Sequence, residues 1–527
     1  MAFEIISYGI FLSGFAWLVQ RLLSAQRARK KPPLPPGPPG LPLVGNINDL
    51  PPPGITEWTY WLKHKDIYGP ISSVTVFGQT IVLLHSREIA SELLDKRSAK
   101  FSSRPYLHFA GEMVGMQDGL SLAPYNESFK RQRKMAIKQM GNKNLIKNYF
   151  QAIDFQVSRL LLRLMNDPEK LEQHLKFSAA SLILDILFGY ESASTGEDPL
   201  VKFVDKWMEE ACASVVAGAW IVDFMPWLEY LPEWLPGMGF KETARRFRKR
   251  YMQANDIPIE FVRERKAAGS TKTSYISGLL ENNPDAAEIK DIKFSASTLY
   301  GGGADTTVAS LNIFFLAMSL NPEVQQKAQE EIDSVVGTDR LPGFQDRPNL
   351  PYLEAVLTET LRWISVAPLG IPHTSDEEDE FRGYLIPKGS IIVPSIAWFG
   401  RDPASYPEPE KFRPERFLGA NKELDPRTYV FGFGRRICPG RHLADANAFL
   451  AMARSLASFN ITKAIGLDGK EIDPVIEQVP GVVGHVKNIK CTITPRTEKH
   501  RELVAQIDSQ CSSGKGDSEY IKDILLD

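Results

Sequence analysis

The chain has 527 residues, and its 62 Lys plus Arg against 64 Asp plus Glu give a formal charge of −2. That near-balance excludes bulk electrostatic binding to nucleic acid, which needs a basic face. Hydrophobic residues at 43% exclude global disorder, and four Cys with eight scattered His exclude a disulfide scaffold and a His-rich metal tract.

Residues Phe3 to Val19 are apolar apart from Glu4, and Gln20, Arg21, Leu22 and Leu23 extend the stretch. A spanning helix needs about 20 mostly apolar residues, so residues 3–23 are expected to form an N-terminal transmembrane anchor. Arg27, Arg29, Lys30 and Lys31 follow, and positive charge after the apolar run favours leaving that side in the cytosol. A cleaved signal peptide is the alternative, but its charges would precede the apolar run and a small-residue cleavage site would follow. Residues 32–46 open Pro32-Pro33-Leu34-Pro35-Pro36-Gly37-Pro38-Pro39-Gly40 and read as a stiff proline-rich linker.

Residues 47–499 show no internal repeat and read as one domain. Ile71 to Val76 and Thr80 to Leu84 flank Gly78 and predict a hairpin. A second hairpin is predicted around Tyr384 to Val393, with Pro387-Lys388-Gly389 as its turn. Helical periodicity covers Leu145 to Met165, Leu171 to Phe188, Lys241 to Lys266, Asp291 to Leu320, Glu323 to Val336 and Tyr352 to Trp363. The fold class is therefore mainly α with small β-sheets. Phe224 to Phe240, with Trp227, Trp234 and several Pro, is either a packed irregular loop or a membrane contact or substrate entrance. Residues 500–527 read as a polar, mobile tail.

The strongest chemical signal is Phe431-Gly432-Phe433-Gly434-Arg435-Arg436-Ile437-Cys438-Pro439-Gly440. Its glycines let the backbone approach a flat partner or adopt positive φ. Such a loop can donate backbone N–H groups to a sulfur and hold it as thiolate, the metal-binding form. Arg436 is placed to meet an anionic group of the same partner. A lone Cys is more often a small buried hydrophobe, which suits Cys212, Cys491 and Cys511. Cys438 and His442 are close enough in sequence to suggest zinc, but a structural zinc site takes four such ligands and no second Cys/His pair exists.

At this motif the sequence resembles the heme-thiolate cytochromes P-450. The resemblance implies heme b (iron protoporphyrin IX) with Cys438 as axial iron ligand, in a single-domain cytochrome P-450 fold behind the N-terminal anchor. It also implies that Phe431, Gly432 and Gly440 shape the cofactor loop. Four further blocks stand in the family's order. Gly302-Gly303-Ala304-Asp305-Thr306-Thr307 looks like its oxygen-activation motif. Glycine inside a helix costs ~1 kcal/mol against alanine, so Gly301 to Gly303 need a purpose. They open a groove over the heme, with Gly303 as a contact, or else permit a close helix–helix approach. Thr306 can bond the carbonyl one turn back, and Asp305 with Thr306 is expected to form the proton route to dioxygen. Glu359-Thr360-Leu361-Arg362 and Arg416 resemble the family's buried structural network. Arg133 matches the arginine of its Trp-x-x-x-Arg helix, although Phe129 replaces the Trp and loses an N–H bond to a heme propionate. His373 aligns with another propionate contact.

The resemblance implies a monooxygenase that places one oxygen atom in a lipophilic small molecule, in secondary metabolism or detoxification. Its details are closest to the microsomal type of fungi. Too few residues follow Gly440 for a fused flavin domain. Electrons are therefore expected from a separate NADPH–cytochrome P-450 reductase, with cytochrome b5 as a further donor, at the endoplasmic reticulum membrane with the catalytic domain cytosolic. Arg435, Arg441, Lys130 and Arg131 are candidate docking cations. The loop from Tyr106 to Met116, Leu299 to Gly303 and Ile364 to Leu369 are candidate substrate contacts. A heme-thiolate isomerase or dehydratase that needs no reductase, and a non-catalytic heme-binding protein, are the alternatives.

Overall fold

Local start and stop signals set most of the helix boundaries. The computed structural model describes residues 31–525 except 53, 194–197, 217, 467 and 508–515, so the anchor read at 3–23 lies outside the described residues. The principal helices are α1 (Glu57–Tyr68), α2 (Glu127–Met140), α3 (Phe150–Asn166), α4 (Leu171–Phe188), α5 (Pro199–Ser214), α6 (Phe240–Ala267), α7 (Ala286–Leu320), α8 (Pro322–Val335), α9 (Pro351–Trp363) and α10 (Arg441–Ser458). Helix α4 has the ends its periodicity predicts and stops at Gly189, whose φ of 69° takes the left-handed cap. Helix α7 starts five residues before the predicted Asp291, because Asp285 and Glu288 form a capping box. The predicted helix from Leu145 to Met165 is broken at its start by a 3-10 turn over Lys147–Tyr149.

Helix α7 is the spine of the molecule. It packs against α2, α4, α6, α9 and α10, and its second half, from Val308 to Ser319, is almost wholly buried. Among the described residues it alone is long and apolar enough to cross a membrane, but its apolar face is covered by the other helices. Each large apolar side chain so buried contributes about 1.5–3 kcal/mol.

Strands β1 (Ile71–Val76) and β2 (Gln79–Leu84) form the expected antiparallel hairpin. The second predicted hairpin does not form. Strand β3 (His373–Thr374) precedes β4 (Asp379–Phe381) and β5 (Tyr384–Ile386), and the latter two pair with each other. Strand β6 (Ile391–Pro394) pairs instead with β2 in parallel and with β3 antiparallel. The reason is local. Arg382 and Gly383 both have positive φ, 53° and 81°, which suits a tight two-residue hairpin turn. Pro387-Lys388-Gly389 instead carries the chain between sheets, held by Ser375 Oγ, which donates to Pro387 O and accepts from Ser390 N. Strands β7 (Phe459–Lys463) and β8 (Cys491–Pro495) make a third small sheet.

The proline linker lies on the body rather than standing free. Pro36 O accepts from Ser73 N, Pro35 O from Ser73 Oγ, and Pro33 O from Leu385 N. The C-terminal segment also departs from its reading as a mobile tail. Helix α11 (Glu498–Ala505) crosses the expected boundary at residue 500, and α12 (Ser518–Leu525) docks on α5 and α6. Ile521 is buried, Asp517 accepts from Glu191 N, and Arg265 lies over the Tyr520 ring. Buried Ile521 supplies the anchor for α12.

A buried ionic network braces the chain beneath the Cys438 loop. Arg362 donates through Nε and an Nη to the two oxygens of Glu359 at 2.6 and 2.8 Å, and Arg416 Nε donates to Glu359 at 3.1 Å. All three side chains have no solvent exposure. Their other N–H groups are taken by the carbonyls of Gly400, Pro407, Pro409 and Lys411 and by Glu423. Removing one charge from such a buried network costs about 3–5 kcal/mol, because the partners stay buried and uncompensated. Glu359→Gln is expected to lower the free energy of unfolding by that amount, read from urea denaturation followed by tryptophan fluorescence.

Candidate active site

The loop from Phe431 to Gly440 is shaped by its glycines and closed by its backbone. Gly432 and Gly434 have φ of 80° and 51°, a conformation that L side chains rarely adopt. A Cβ on Gly434 would also run into Leu94 O. Cys438 N donates to Phe431 O at 2.8 Å, so Phe431 acts through its carbonyl. The sulfur sits just before α10, where the N–H groups of Gly440 and Arg441 point at it. Burial pushes the Cys438 thiol up, while those two N–H groups and the charges of Arg133 and Arg441 pull it down. The net direction is upward, and a cation bound at the sulfur would favour the thiolate. Among the described residues no group of three or more His, Cys, Asp or Glu converges, so Cys438 and His442 lack partners for a four-ligand zinc site.

Around the sulfur the chain gathers positive charge to which, among the described residues, no carboxylate is hydrogen-bonded. Arg436 donates to the carbonyls of Ser102, Leu120 and Ala123, and burial followed by the nearby Arg133 charge pulls its pKa down to about 9. Its guanidinium carbon lies 3.5 Å from the centre of the Phe129 ring, so the residue in place of Trp keeps an aromatic face for the cation. Arg133, on α2, is lowered chiefly by burial. Among the described residues nothing accepts a hydrogen bond from it. His373 Nδ1 donates to Phe101 O at 2.6 Å, and burial and the Arg104 charge hold the ring well below the usual imidazole range. Arg104 joins the cluster, bonded to the carbonyls of Ser121, Ile371 and Pro372 and lowered by burial, Arg436 and Arg133. A half-buried guanidinium without an acceptor is costly. The carboxylates of a porphyrin would supply such anions, and an anion against His373 would favour a proton on its Nε2. The donor set therefore fits heme.

Arg104 has no motif around it in the sequence. Only the packing of its loop on the segment before β3 reveals it.

Helix α7 meets this region through Leu299, which packs with Phe129, Leu120 and Ala123. The three glycines after it divide two tasks. A Cβ on Gly301 would crowd Met208 Sδ at 2.6 Å, and one on Gly303 would crowd Ile183 Cδ1 at 2.7 Å. Those two serve close packing against α5 and α4. Gly302 alone faces open space. The open side of the helix thus belongs to Gly302 rather than to Gly303, the residue read from sequence as a cofactor contact. Thr306 Oγ1 donates to Gly302 O at 2.6 Å, and Thr307 repeats the bond to Gly303 O. Asp305 Oδ1 accepts from His485 Nε2 at 2.9 Å, a partner the sequence did not suggest.

The candidate substrate segments are apolar and interlocked. Within Tyr106 to Met116, Phe109 stacks on Trp220 at 3.6 Å between ring centres, and His108 is paired with Glu229 at 2.7 Å. Of the candidate docking cations, Lys130 is paired with Glu127 and Arg131 with Asp291. Arg435 is exposed and bonded to the Tyr125 hydroxyl.

The glycine geometry predicts opposite signs. Gly302→Ala meets no atom and should stabilise α7 by up to about 1 kcal/mol. Gly303→Ala should destabilise by about 1–2 kcal/mol through overpacking on Ile183. Urea unfolding of the two variants reads the difference.

The family model described as cytochrome P-450 matches residues 35–491. The chain is 46% identical over 469 residues to cytochrome P-450 monooxygenase claR of Ampulloclitocybe clavipes, covering 88% of this chain and 87% of the relative. It is 43% identical to cytochrome P-450 monooxygenase ppsD of Aspergillus oryzae, covering 95% and 96%. It is 34% identical to O-methylsterigmatocystin oxidoreductase of Aspergillus flavus, covering 94% and 93%.

Proposed function

Because the chain belongs to the cytochrome P-450 family of oxygen-incorporating oxidoreductases, we propose that it is a heme-thiolate monooxygenase acting on a lipophilic product of fungal secondary metabolism. The observation that carries the reading is Cys438, aimed at by two backbone N–H groups, beside the Arg133 guanidinium, whose pKa is lowered chiefly by burial. The relatives' names, among them an O-methylsterigmatocystin oxidoreductase, support secondary metabolism as the setting.

The residue roles follow. Cys438 would hold the iron, and Arg133 and His373, with Arg104 and Arg436, would hold the propionates. When bound, the heme supplies an iron whose thiolate ligand favours O–O cleavage. Gly302 leaves room above the helix. Thr306, anchored on Gly302 O, presents a hydroxyl whose lone pairs stay free to accept, and Asp305 holds the next proton. Phe109 and Val114 from the Tyr106 to Met116 segment, and Val366 in the turn after α9, supply apolar walls, as ligand pockets require. Electrons come from an NADPH-dependent flavoprotein reductase, with cytochrome b5 as a further donor, and Arg435 and Arg441 beside the Cys438 loop form the docking face.

The enzyme is anchored at the endoplasmic reticulum membrane by residues 3–23 and rests against it through a second, aromatic surface. Trp227, Tyr230 and Trp234 are exposed, and Phe224 contacts Phe77 of the β1–β2 turn at 6.0 Å between rings. Trp and Tyr in such a patch favour a bilayer interface. Replacing Trp227 and Trp234 by Ser together should weaken binding to phosphatidylcholine vesicles of protein lacking residues 1–30, measured by flotation. Unchanged binding would remove this surface from the membrane contact.

The cofactor reading is tested by the ferrous protein with CO. The expected result is the red-shifted Soret band of thiolate ligation, lost in Cys438→Ala. Wild-type protein without heme would sink the proposal. Thr306→Ala should keep the heme and send more NADPH electrons to hydrogen peroxide. Product formation without NADPH or reductase would point to an isomerase or dehydratase instead.

A further inference from the structure

Asp305 has its hydrogen-bonded partner outside its own helix. His485 reaches it from the loop between β7 and β8, and the loop is built to hold that ring in place. Gln478 Nε2 donates to Ser365 O and Gly484 O, each at 2.9 Å, while its Oε1 accepts from Trp58 Nε1 at 3.1 Å. Gly484 N donates to Val366 O at 2.9 Å. A Cβ on Gly484 would crowd Gln478 Nε2 at 2.5 Å and Pro368 Cγ at 2.9 Å. Val486, the next residue but one, is buried in the main core. The loop is thus clamped on both sides of His485, and the imidazole is delivered to one carboxylate oxygen at 2.9 Å.

The pair is neither sealed nor free. The side chains are 27% and 24% exposed. His485 Nε2 faces Asp305, and among the described residues Nδ1 has no partner. A ring with one nitrogen on an acid and the other open can move a proton between them. The other charged and titratable groups that sense Asp305 are Lys176 from α4 and Asp205 and Cys212 from α5. Lys176 is paired with Glu172 at 2.8 Å, and Glu209 is near enough to Asp205 to raise it. None of them is hydrogen-bonded to Asp305. On its own loop, the nearest charges are Glu477 and Lys487, which pair with each other.

We propose that His485 is a positioning and proton-relay residue for Asp305, recharging it from solvent between proton deliveries toward Thr306. This rests on the monooxygenase reading above. In the step, the Nε2–H bond of His485 breaks and an O–H bond forms on the Asp305 carboxylate, while Nδ1 takes a proton from a solvent hydronium ion, which leaves as water. No electrons move. The imidazole then returns to its starting tautomer by exchange with solvent.

His485→Gln separates relay from placement, because an amide N–H can still bond Asp305 but is not basic enough to pass a proton. The reconstituted holoenzyme is supplied with NADPH and the flavoprotein reductase without added substrate, and NADPH, O2 and hydrogen peroxide are followed together. One NADPH per O2 reports reduction to peroxide, and two per O2 report reduction to water. The peroxide share of the electrons should rise severalfold in His485→Gln, with the ferrous–CO band unchanged. The solvent deuterium isotope effect on NADPH use should change with it. A peroxide share and isotope effect equal to wild type would overturn the relay. Histidine-selective 15N NMR of the diamagnetic ferrous–CO protein tests the contact independently of turnover. The His485 Nε2 resonance should move in Asp305→Asn, and an unmoved resonance would overturn the proposal at its geometric premise. If wild type itself shows no reductase-dependent NADPH use, the monooxygenase reading fails instead, and the NMR result still stands or falls alone.

Discussion

Glu359 is the point on which the lower half of the molecule depends. Its two oxygens accept from Arg362, Arg416 and the backbone N–H of Arg413, with no solvent to share the load. The two guanidiniums in turn gather carbonyls from the irregular stretch between Gly400 and Lys411. That stretch has almost no secondary structure, so its backbone groups need partners from elsewhere. The network supplies them and fixes the approach to the Cys438 loop. Polar groups buried this deeply are favourable only when every one is satisfied, which is the condition met here.

The site above the network reverses that logic. Arg104, Arg133, Arg436 and His373 converge in a region where burial works against every positive charge. Carbonyls satisfy part of the demand, but among the described residues nothing accepts a hydrogen bond from Arg133. The thiol of Cys438 is likewise held away from its charged form by burial, although two N–H groups are aimed at it. Excess cation on one side and a reluctant anion on the other are complementary to a single group that carries carboxylates at its edge and a metal cation at its centre.

Helix α7 reconciles two demands that compete for the same three residues. Gly301 and Gly303 allow α5 and α4 to pack closely, and Gly302 leaves space on the remaining side. Successive residues on a helix point about 100° apart, so a run of three glycines necessarily serves different neighbours. The hydroxyls of Thr306 and Thr307 bond back to the carbonyls of Gly302 and Gly303, so both side chains are tied to the glycines one turn back.

The amino-acid sequence by itself determined the helical class, the β1–β2 hairpin, the ends of α4, and the Cys438, Glu359 and Asp305-Thr306 motifs. Each of these is written in neighbouring residues: a hydrophobic period, a cap, a glycine turn or a short spacing. Tertiary structure alone decided which glycine of the α7 run is open, that Tyr384–Ile386 turns back on Asp379–Phe381 instead of pairing with β6, that α12 docks, and that Arg104 and His485 join the site. Those outcomes depend on which surfaces meet across tens or hundreds of residues, and a local pattern carries no information about a partner that distant.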